Sequence, residues 1–255
     1  MSLLTLDALT VHYAGVAAAA LDGVSLSLAP REKLAIIGES GSGKSTLVRA
    51  VAGLLPEGAR VTGRIEQPEG PLRQGRDIGY VFQDPGGSLN PLLSIGAHLF
   101  EVLTRHLPLS RRAARARARE LLADVRIPDP DAALRAWPHQ FSGGQRQRIA
   151  IALAIAAGPR LLIADEATSA LDVLVQAEIV ALLRDLADRQ DMALLFVTHD
   201  MALAGGLADR IAVLNAARLE EVGPAAQVLT APRAAYTRAL LAAHMDLTSP
   251  RLVAP

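Results

Sequence analysis

The first chemical signal in the sequence is the string Gly38-Glu39-Ser40-Gly41-Ser42-Gly43-Lys44-Ser45. It fits G-x-x-x-x-G-K-[ST], whose glycines let backbone N–H groups converge on phosphate oxygens without side-chain obstruction. Lys44 is expected to reach the β- and γ-phosphates and Ser45 to ligate Mg²⁺, with Thr46 closing the loop. A helix opening at this point adds its positive N-terminal end. Lys33 and Lys44 are the only lysines in the chain, so one kept inside a glycine loop points to a chemical need.

Two further strings carry chemistry. Leu161-Leu162-Ile163-Ala164 is an apolar run that ends in Asp165 and Glu166. At the C-terminal tip of a strand both carboxylates can reach the crevice where open α/β sheets bind ligands. Asp165 suits a Mg²⁺ partner and Glu166 a base that polarises an attacking water; alone, the pair reads equally well as a solvated strand end. Ser142-Gly143-Gly144-Gln145 places a favoured N-cap residue and two bare glycines ahead of a helix to about Ala157. That is a second anion site, or a simple capped helix.

The elements that must position these residues follow from the pattern. Leu4 to Tyr13 alternates loosely and Val24 to Leu28 cleanly, and Leu34-Ala35-Ile36-Ile37 is a short apolar run of the buried parallel type. A helix is predicted over Leu47 to Leu55, stopped by Pro56. Residues 57–82 read as a second β region ending in Ile78-Gly79-Tyr80-Val81-Phe82. Glycine and proline cluster at 84–96, and helical segments follow to about Ala157, among them Arg111 to Val125. From Arg160 strands (161–164, 193–197, 211–214) alternate with a helix over Val173 to Arg189, predicting a parallel sheet covered by helices. Residues from about Leu247 are expected to fray.

Composition bounds the function. The chain has 255 residues and no cysteine, which excludes a disulfide scaffold, thiolate metal sites and a cysteine nucleophile. Its 26 basic and 26 acidic residues cancel, which argues against nucleic acid as the main partner. The 51% apolar content contains no run near the ~20 residues of a spanning helix, and the N-terminus lacks a basic region and apolar core of a signal peptide. The expected place is the cytoplasm, docked on another component.

In order and spacing these strings resemble the ATP-binding cassette family, over nearly the whole chain. Tyr13 sits where an aromatic residue stacks on adenine; Gly38 to Ser45 is the phosphate loop; Gln83 follows a strand as the family's Q-loop glutamine does, which implies a place in both the catalytic and the metal set. Ser142 to Gln145 matches the signature, Asp165 and Glu166 the end of the second nucleotide strand, Ser169-Ala170-Leu171-Asp172 the D-loop, and His199 the switch histidine that contacts the γ-phosphate. Ala167 stands where proline is common. The resemblance implies an α/β P-loop NTPase (RecA-like) core with a mostly parallel sheet, an N-terminal antiparallel β region and an inserted α-helical subdomain. The division expected is 1–83 with 158–230 for the core, 84–157 for the helical part and 231–255 for a short tail. ATP and Mg²⁺ are the implied cofactors, and Glu166, His199 and Gln83 the implied catalytic group. In this family the signature of one cassette closes over the ATP of another. An identical or homologous ATPase subunit is therefore an implied partner. Two integral membrane permease subunits and, indirectly, a periplasmic or extracellular solute-binding protein are the others, which would place the chain on the cytoplasmic membrane face.

Phe82-Gln83-Asp84-Pro85 through Ser88-Leu89-Asn90-Pro91, and Tyr236 to Leu241, resemble the peptide/nickel importer branch. The short cysteine-free tail is most like that of the nickel-import ATP-binding subunits. Ala234-Ala235 replaces the usual histidine-proline. Leu89 and the Leu92-Leu93 pair are expected handles for a helix of a membrane subunit, unless they belong to the protein's own core. A soluble cassette ATPase acting on nucleic acid or ribosomes, and a P-loop kinase, are the other classes. The first lacks its usual long insertion or second cassette here, and the second lacks a signature and switch histidine.

Overall fold

The computed structural model describes residues 2–169 and 171–248. In chain order the strands are β1 (Leu4–His12), β2 (Leu21–Leu28), β3 (Lys33–Ile37), β4 (Arg60–Glu66), β5 (Ile78–Val81), β6 (Leu161–Asp165), β7 (Ala193–Val197), β8 (Arg210–Asn215) and β9 (Arg218–Pro224). The helices are α1 (Lys44–Ala52), α2 (Pro85–Ser88), α3 (Ile95–His106), α4 (Arg111–Asp124), α5 (Pro130–Ala133), α6 (Gly143–Ile155), α7 (Val173–Arg189), α8 (Met201–Leu207), α9 (Ala225–Thr230) and α10 (Ala235–Thr248), with a 3₁₀ turn at Pro138–Gln140.

A six-stranded sheet runs β5-β6-β7-β3-β8-β9, parallel except for β9, and a three-stranded antiparallel sheet runs β2-β1-β4. Alternation divides each central strand between two cores. Leu34, Ile36, Leu161, Ile163, Leu195 and Val197 face one apolar cluster with α1 and the antiparallel sheet. Ala35, Ile37, Leu162, Ala164, Leu194 and Phe196 face the other, with α3, α4, α6 and α7. Both faces are covered, which is why these strands read as continuous apolar runs. The C-terminal tips of β3, β5, β6 and β7 open at one edge, and the chemistry-bearing loops leave from there.

The α/β reading of the sequence holds, with local differences. α1 stops at Ala52 because Gly53 turns left-handed (φ 67°) and its N–H bonds to Ala50 O; Pro56 lies beyond the end. The β region at 57–82 divides, β4 joining the antiparallel sheet and β5 the edge of the parallel one. The 84–96 segment contains a short helix, α2, capped by Asp84 accepting from Gly86 N. β9 is an antiparallel edge strand that alternation had not marked. Leu89 is 2% exposed inside the larger core and is not a handle, whereas Leu92 is 83% exposed. α10 runs to Thr248; the rest of the expected frayed tail lies outside the described residues. Among the described residues no helix is long and apolar enough to cross a membrane.

Candidate functional site

The loop between β3 and α1 is held by backbone on two sides. A Cβ on Gly38 would stand 2.1 Å from Leu214 O, and one on Gly43 2.6 Å from Ala20 O, so packing as well as any phosphate demands glycine there. Ala217 N adds a bond to Ser42 O at 3.1 Å. α1 has Gly43 as N-cap and no side-chain cap, leaving its first turn bare of a local acceptor. Lys44 is 4% exposed and donates to Gly38 O (2.9 Å) and Glu39 O (2.7 Å). Burial holds its ammonium below the usual lysine range, against the opposing pull of Glu166 and Asp165. Ser42 Oγ is buried without a hydrogen-bond partner among the described residues.

Asp165 ends β6 and is 2% exposed. Its Oδ1 accepts from Ser45 Oγ at 2.8 Å and its Oδ2 from the Tyr80 hydroxyl at 2.7 Å, with Arg49 Nε at 3.9 Å. The two residues assigned to Mg²⁺ by their motifs are thus already joined across β6 and α1. Tyr80 arrives on β5, paired in register with β6 (Tyr80↔Ile163). Burial first, then its bond to Asp165, pushes the phenol well above its ordinary value, so it remains a donor.

Glu166 adopts φ 48°, a left-handed conformation uncommon for a side-chain-bearing residue, and its N–H bonds to Val197 O at 3.1 Å. That turn lifts the carboxylate out of the strand. Oε2 accepts from Gln83 Nε2 at 2.9 Å, and Oε1 stands 3.9 Å from Lys44 Nζ. Gln83 Nε2 also reaches Ser169 Oγ at 3.4 Å. The amide of Gln83 therefore meets the Glu166 carboxylate rather than the Ser45–Asp165 pair.

The remaining expected residues surround this cluster. Tyr13, just past β1, is half-buried and shares a 2.9 Å hydroxyl contact with Thr46 Oγ1 on α1. His199 is exposed at the tip of β7, between Thr198, whose N–H bonds to Ile36 O, and Asp200, which caps α8. Glu39, Ser40 and Gly41 are exposed on the loop.

Ser142 to Gln145 close on themselves. Ser142 Oγ accepts from Gln145 N (3.2 Å) while Gln145 Oε1 accepts from Ser142 N (2.9 Å), a reciprocal cap on α6. A Cβ on Gly144 would stand 2.9 Å from Val175 on α7, and one on Gly143 3.7 Å from Leu171. Those contacts seat the signature against the segment after Glu166, not on the phosphate loop of its own chain. Ala170 of the D-loop lies outside the described residues.

A profile described as ABC transporter matches residues 21–169. A dipeptide transport ATP-binding protein of Escherichia coli, DppD, is 42% identical over 95% of this chain and 78% of its own length. The oligopeptide transport ATP-binding protein OppD of Bacillus subtilis is 43% identical over 90% and 68%. The chain belongs to the ABC transporter family. The cassette is also 44% identical, over 94% of its length, to the peptidoglycan transport ATP-binding protein YejF of Agrobacterium fabrum, of which it spans about half (47%). Among solved structures it resembles the dimeric post-hydrolysis cassette MJ0796 bound to ADP and Pi (TM-score 0.75, 29% identity, 87% of this chain and 98% of that one). It also resembles cbiO1 of Clostridium perfringens, part of the complex cbiONQ (TM-score 0.77, 26% identity, 98% and 97%). The three sequence relatives are named for peptide, dipeptide and peptidoglycan transport, none for nickel.

The cassette uses residues that motif reading passed over. Tyr80 and Arg49 hold Asp165, and Ser169 shares Gln83 with Glu166. Tyr80 had one signal, a polar tip two residues from the end of a strand predicted to stop at Gln83's doorstep. Arg49 had none, since its role depends on how α1 lies across β6.

Proposed function

We propose that this ABC-family ATPase is the ATP-hydrolysing subunit of an importer for small peptides, acting as an ATP-closed pair beneath two membrane subunits. The carrying observation is the convergence of Ser45, Asp165, Glu166, Gln83 and Lys44 at the tips of β3, β5 and β6. The donor set fits ATP with Mg²⁺: an unpartnered buried Ser42 hydroxyl, an uncapped helix N-terminus and a desolvated lysine face one loop. Lys44 and residues 38–46 would hold the phosphates, Tyr13 the base, and Ser45 and Asp165 the Mg²⁺, with Gln83, whose Nε2 is on Glu166, joining them through its carbonyl oxygen; the ion needs few protein ligands when phosphates and water supply the rest. ATP bound there would supply the phosphoryl group passed to water. Glu166 orients that water and accepts its proton, and its strained backbone and the Gln83 amide fix where the carboxylate points. His199, at the neighbouring strand tip, is assigned to the terminal phosphate.

Several features support a second cassette. The signature packs against Leu171 and Val175 and away from the loop at residues 38–45. Val173 and Leu174, directly after the D-loop, are 78% and 79% exposed. A cleft of about 370 Å³ between the nucleotide core and the helices is lined by Leu54, Tyr80, Phe82, Val102 and Leu153, and Phe82 is half-open to solvent. It is the seat we assign to a short helix of a membrane subunit, in continuity with Gln83. The assigned division is a core of 1–83 and 158–230, a helical part of 84–157 and a tail from 231. Peptide is preferred to nickel as cargo because the relatives reported above are named for peptide-type substrates.

Glu166→Gln tests the reading. With ATP and Mg²⁺ the variant should bind nucleotide, lose turnover by about 10²–10⁴-fold and accumulate as a dimer on size exclusion. Turnover at the wild-type rate refutes the assignment of Glu166. Reconstitution with membrane permease subunits and a peptide-loaded binding protein tests the cargo, since nickel-dependent stimulation in place of peptide-dependent stimulation overturns that part.

A further inference from the structure

A tyrosine far along the chain, first in the tail string Tyr236 to Leu241 and given no role above, faces the phosphate loop from behind. Its position is imposed from both sides. Glu221 of β9, 8% exposed, accepts backbone bonds from Arg233 N (2.9 Å) and Ala234 N (3.0 Å), so a carboxylate from another element terminates the start of α10. The fully buried Thr237 lies against the same carboxylate, and Leu240 and Leu241, a turn further, enter the larger core. Tyr236 sits between these anchors with its ring packed on that core. Its hydroxyl is enclosed, faces the backbone N–H of Glu39, and closes no hydrogen bond among the described residues.

Glu39 N–H and Gly38 C=O belong to one planar peptide unit and point in opposite directions. Lys44 Nζ holds the carbonyl end at 2.9 Å, and Tyr236 stands at the amide end. Whatever draws Lys44 from Gly38 O frees this plane to tilt and changes the direction of the N–H that Tyr236 meets. An enclosed hydroxyl oxygen without a donor in one state carries a cost that a small tilt of this N–H lowers.

We propose that Tyr236 is a positioning residue for the phosphate loop: its oxygen accepts the Glu39 N–H when Lys44 turns to nucleotide phosphates, tying the start of α10 to occupancy of the site. The inference rests on reading residues 38–46 as a nucleotide cradle. Burial first, with the carboxylates of Glu39 and Glu220, raises the phenol above its ordinary value against the opposing pull of the Glu39 N–H, so it stays protonated.

The test uses the full chain. Tyr236→Phe keeps the ring and its packing and removes only the oxygen. It should raise the KM for ATP about 5-fold, one hydrogen bond's worth, and leave kcat within twofold because Glu166 and Gln83 are untouched. In the wild type, ATP should slow hydrogen exchange of amides 233–241, and Tyr236→Phe should abolish that slowing. An unchanged KM in a normally folded variant overturns the proposal, as does wild-type exchange at 233–241 that ignores ATP; the latter needs no variant. Lys44→Ala separates the two readings. If it loses ATP while Tyr236→Phe behaves as wild type, the cradle stands and the tyrosine's role falls. If wild type itself binds no ATP, both fall.

Discussion

Tyr80→Phe isolates the bond that aims Asp165. Tyr80 Oη is 2.7 Å from Asp165 Oδ2, and the nearest cation on that side, Arg49 Nε, is at 3.9 Å, beyond hydrogen-bond reach. Deleting the hydroxyl leaves an ionised oxygen on a residue that is 2% exposed with one donor fewer. Hydrogen bonds to charged groups contribute about 1.5–3 kcal/mol, and the half-buried ring lets some water in, so about 2 kcal/mol is the expected loss. At about 2–4 °C per kcal/mol for a chain of this size, the melting temperature should fall by about 4–8 °C. The ring contact with Phe82 (centroids 4.5 Å apart) survives in the variant, so the loss reports on the hydroxyl alone. The folded phenol titrates above its unfolded value, so the bond's contribution is complete below a pH of about 10 and is lost as the pH rises through the folded pKa. The difference between wild type and variant should therefore be flat across neutral pH. Thermal melts followed by circular dichroism, without nucleotide, measure it. A variant melting within about 1 °C of wild type would refute the account of Asp165.

Gln147 is fully buried on α6 with both amide atoms unpartnered among the described residues, so Gln147→Leu should hold or raise the melting temperature, and a fall of several degrees would reveal a partner. Leu89→Asp should unfold the chain by putting an unpaired charge in the larger core, whereas Leu92→Asp should change stability by no more than about 0.5 kcal/mol and impair only permease-stimulated turnover. Urea titrations of the two variants compare them directly. Burial raises the Glu221 carboxyl, but the amides of Arg233 and Ala234 outweigh it and hold it below the usual range. Its contribution is complete above the ordinary glutamate pKa and fades as pH falls through the lower folded value. Exchange at 233–241 should accelerate in that acid window before the sheet does, and uniform acceleration would count against a local latch.

The elements legible in the sequence were those whose neighbours are also their causes. α7 and β7 fall on their expected residues because period and caps are local: Asp172 opens α7 by accepting from Val175 N. The turn from β3 into α1 and the place of Asp165 at a strand tip were legible because a strand, a glycine loop and a helix follow one another locally. β9 and the contacts of Tyr80, Arg49 and Tyr236 were not, because each depends on a residue distant in sequence, as Glu221 does in holding Arg233 and Ala234. Leu89 shows the opposite failure. A leucine in a Gly/Pro-rich loop looks available, and only the tertiary fold turns it inward.

A loop pinned by Leu214, Ala20 and Ala217 has little disorder left to lose, so nucleotide should meet a receptor already shaped for it. Calorimetry on the isolated chain should then show a small heat-capacity change on binding and an affinity that drifts slowly with temperature. The large negative heat-capacity change belongs to a later event, when another surface covers Leu92, Val173 and Leu174. Cooling would thus weaken assembly far more than nucleotide capture, and a chilled cell would hold cassettes that are loaded and apart.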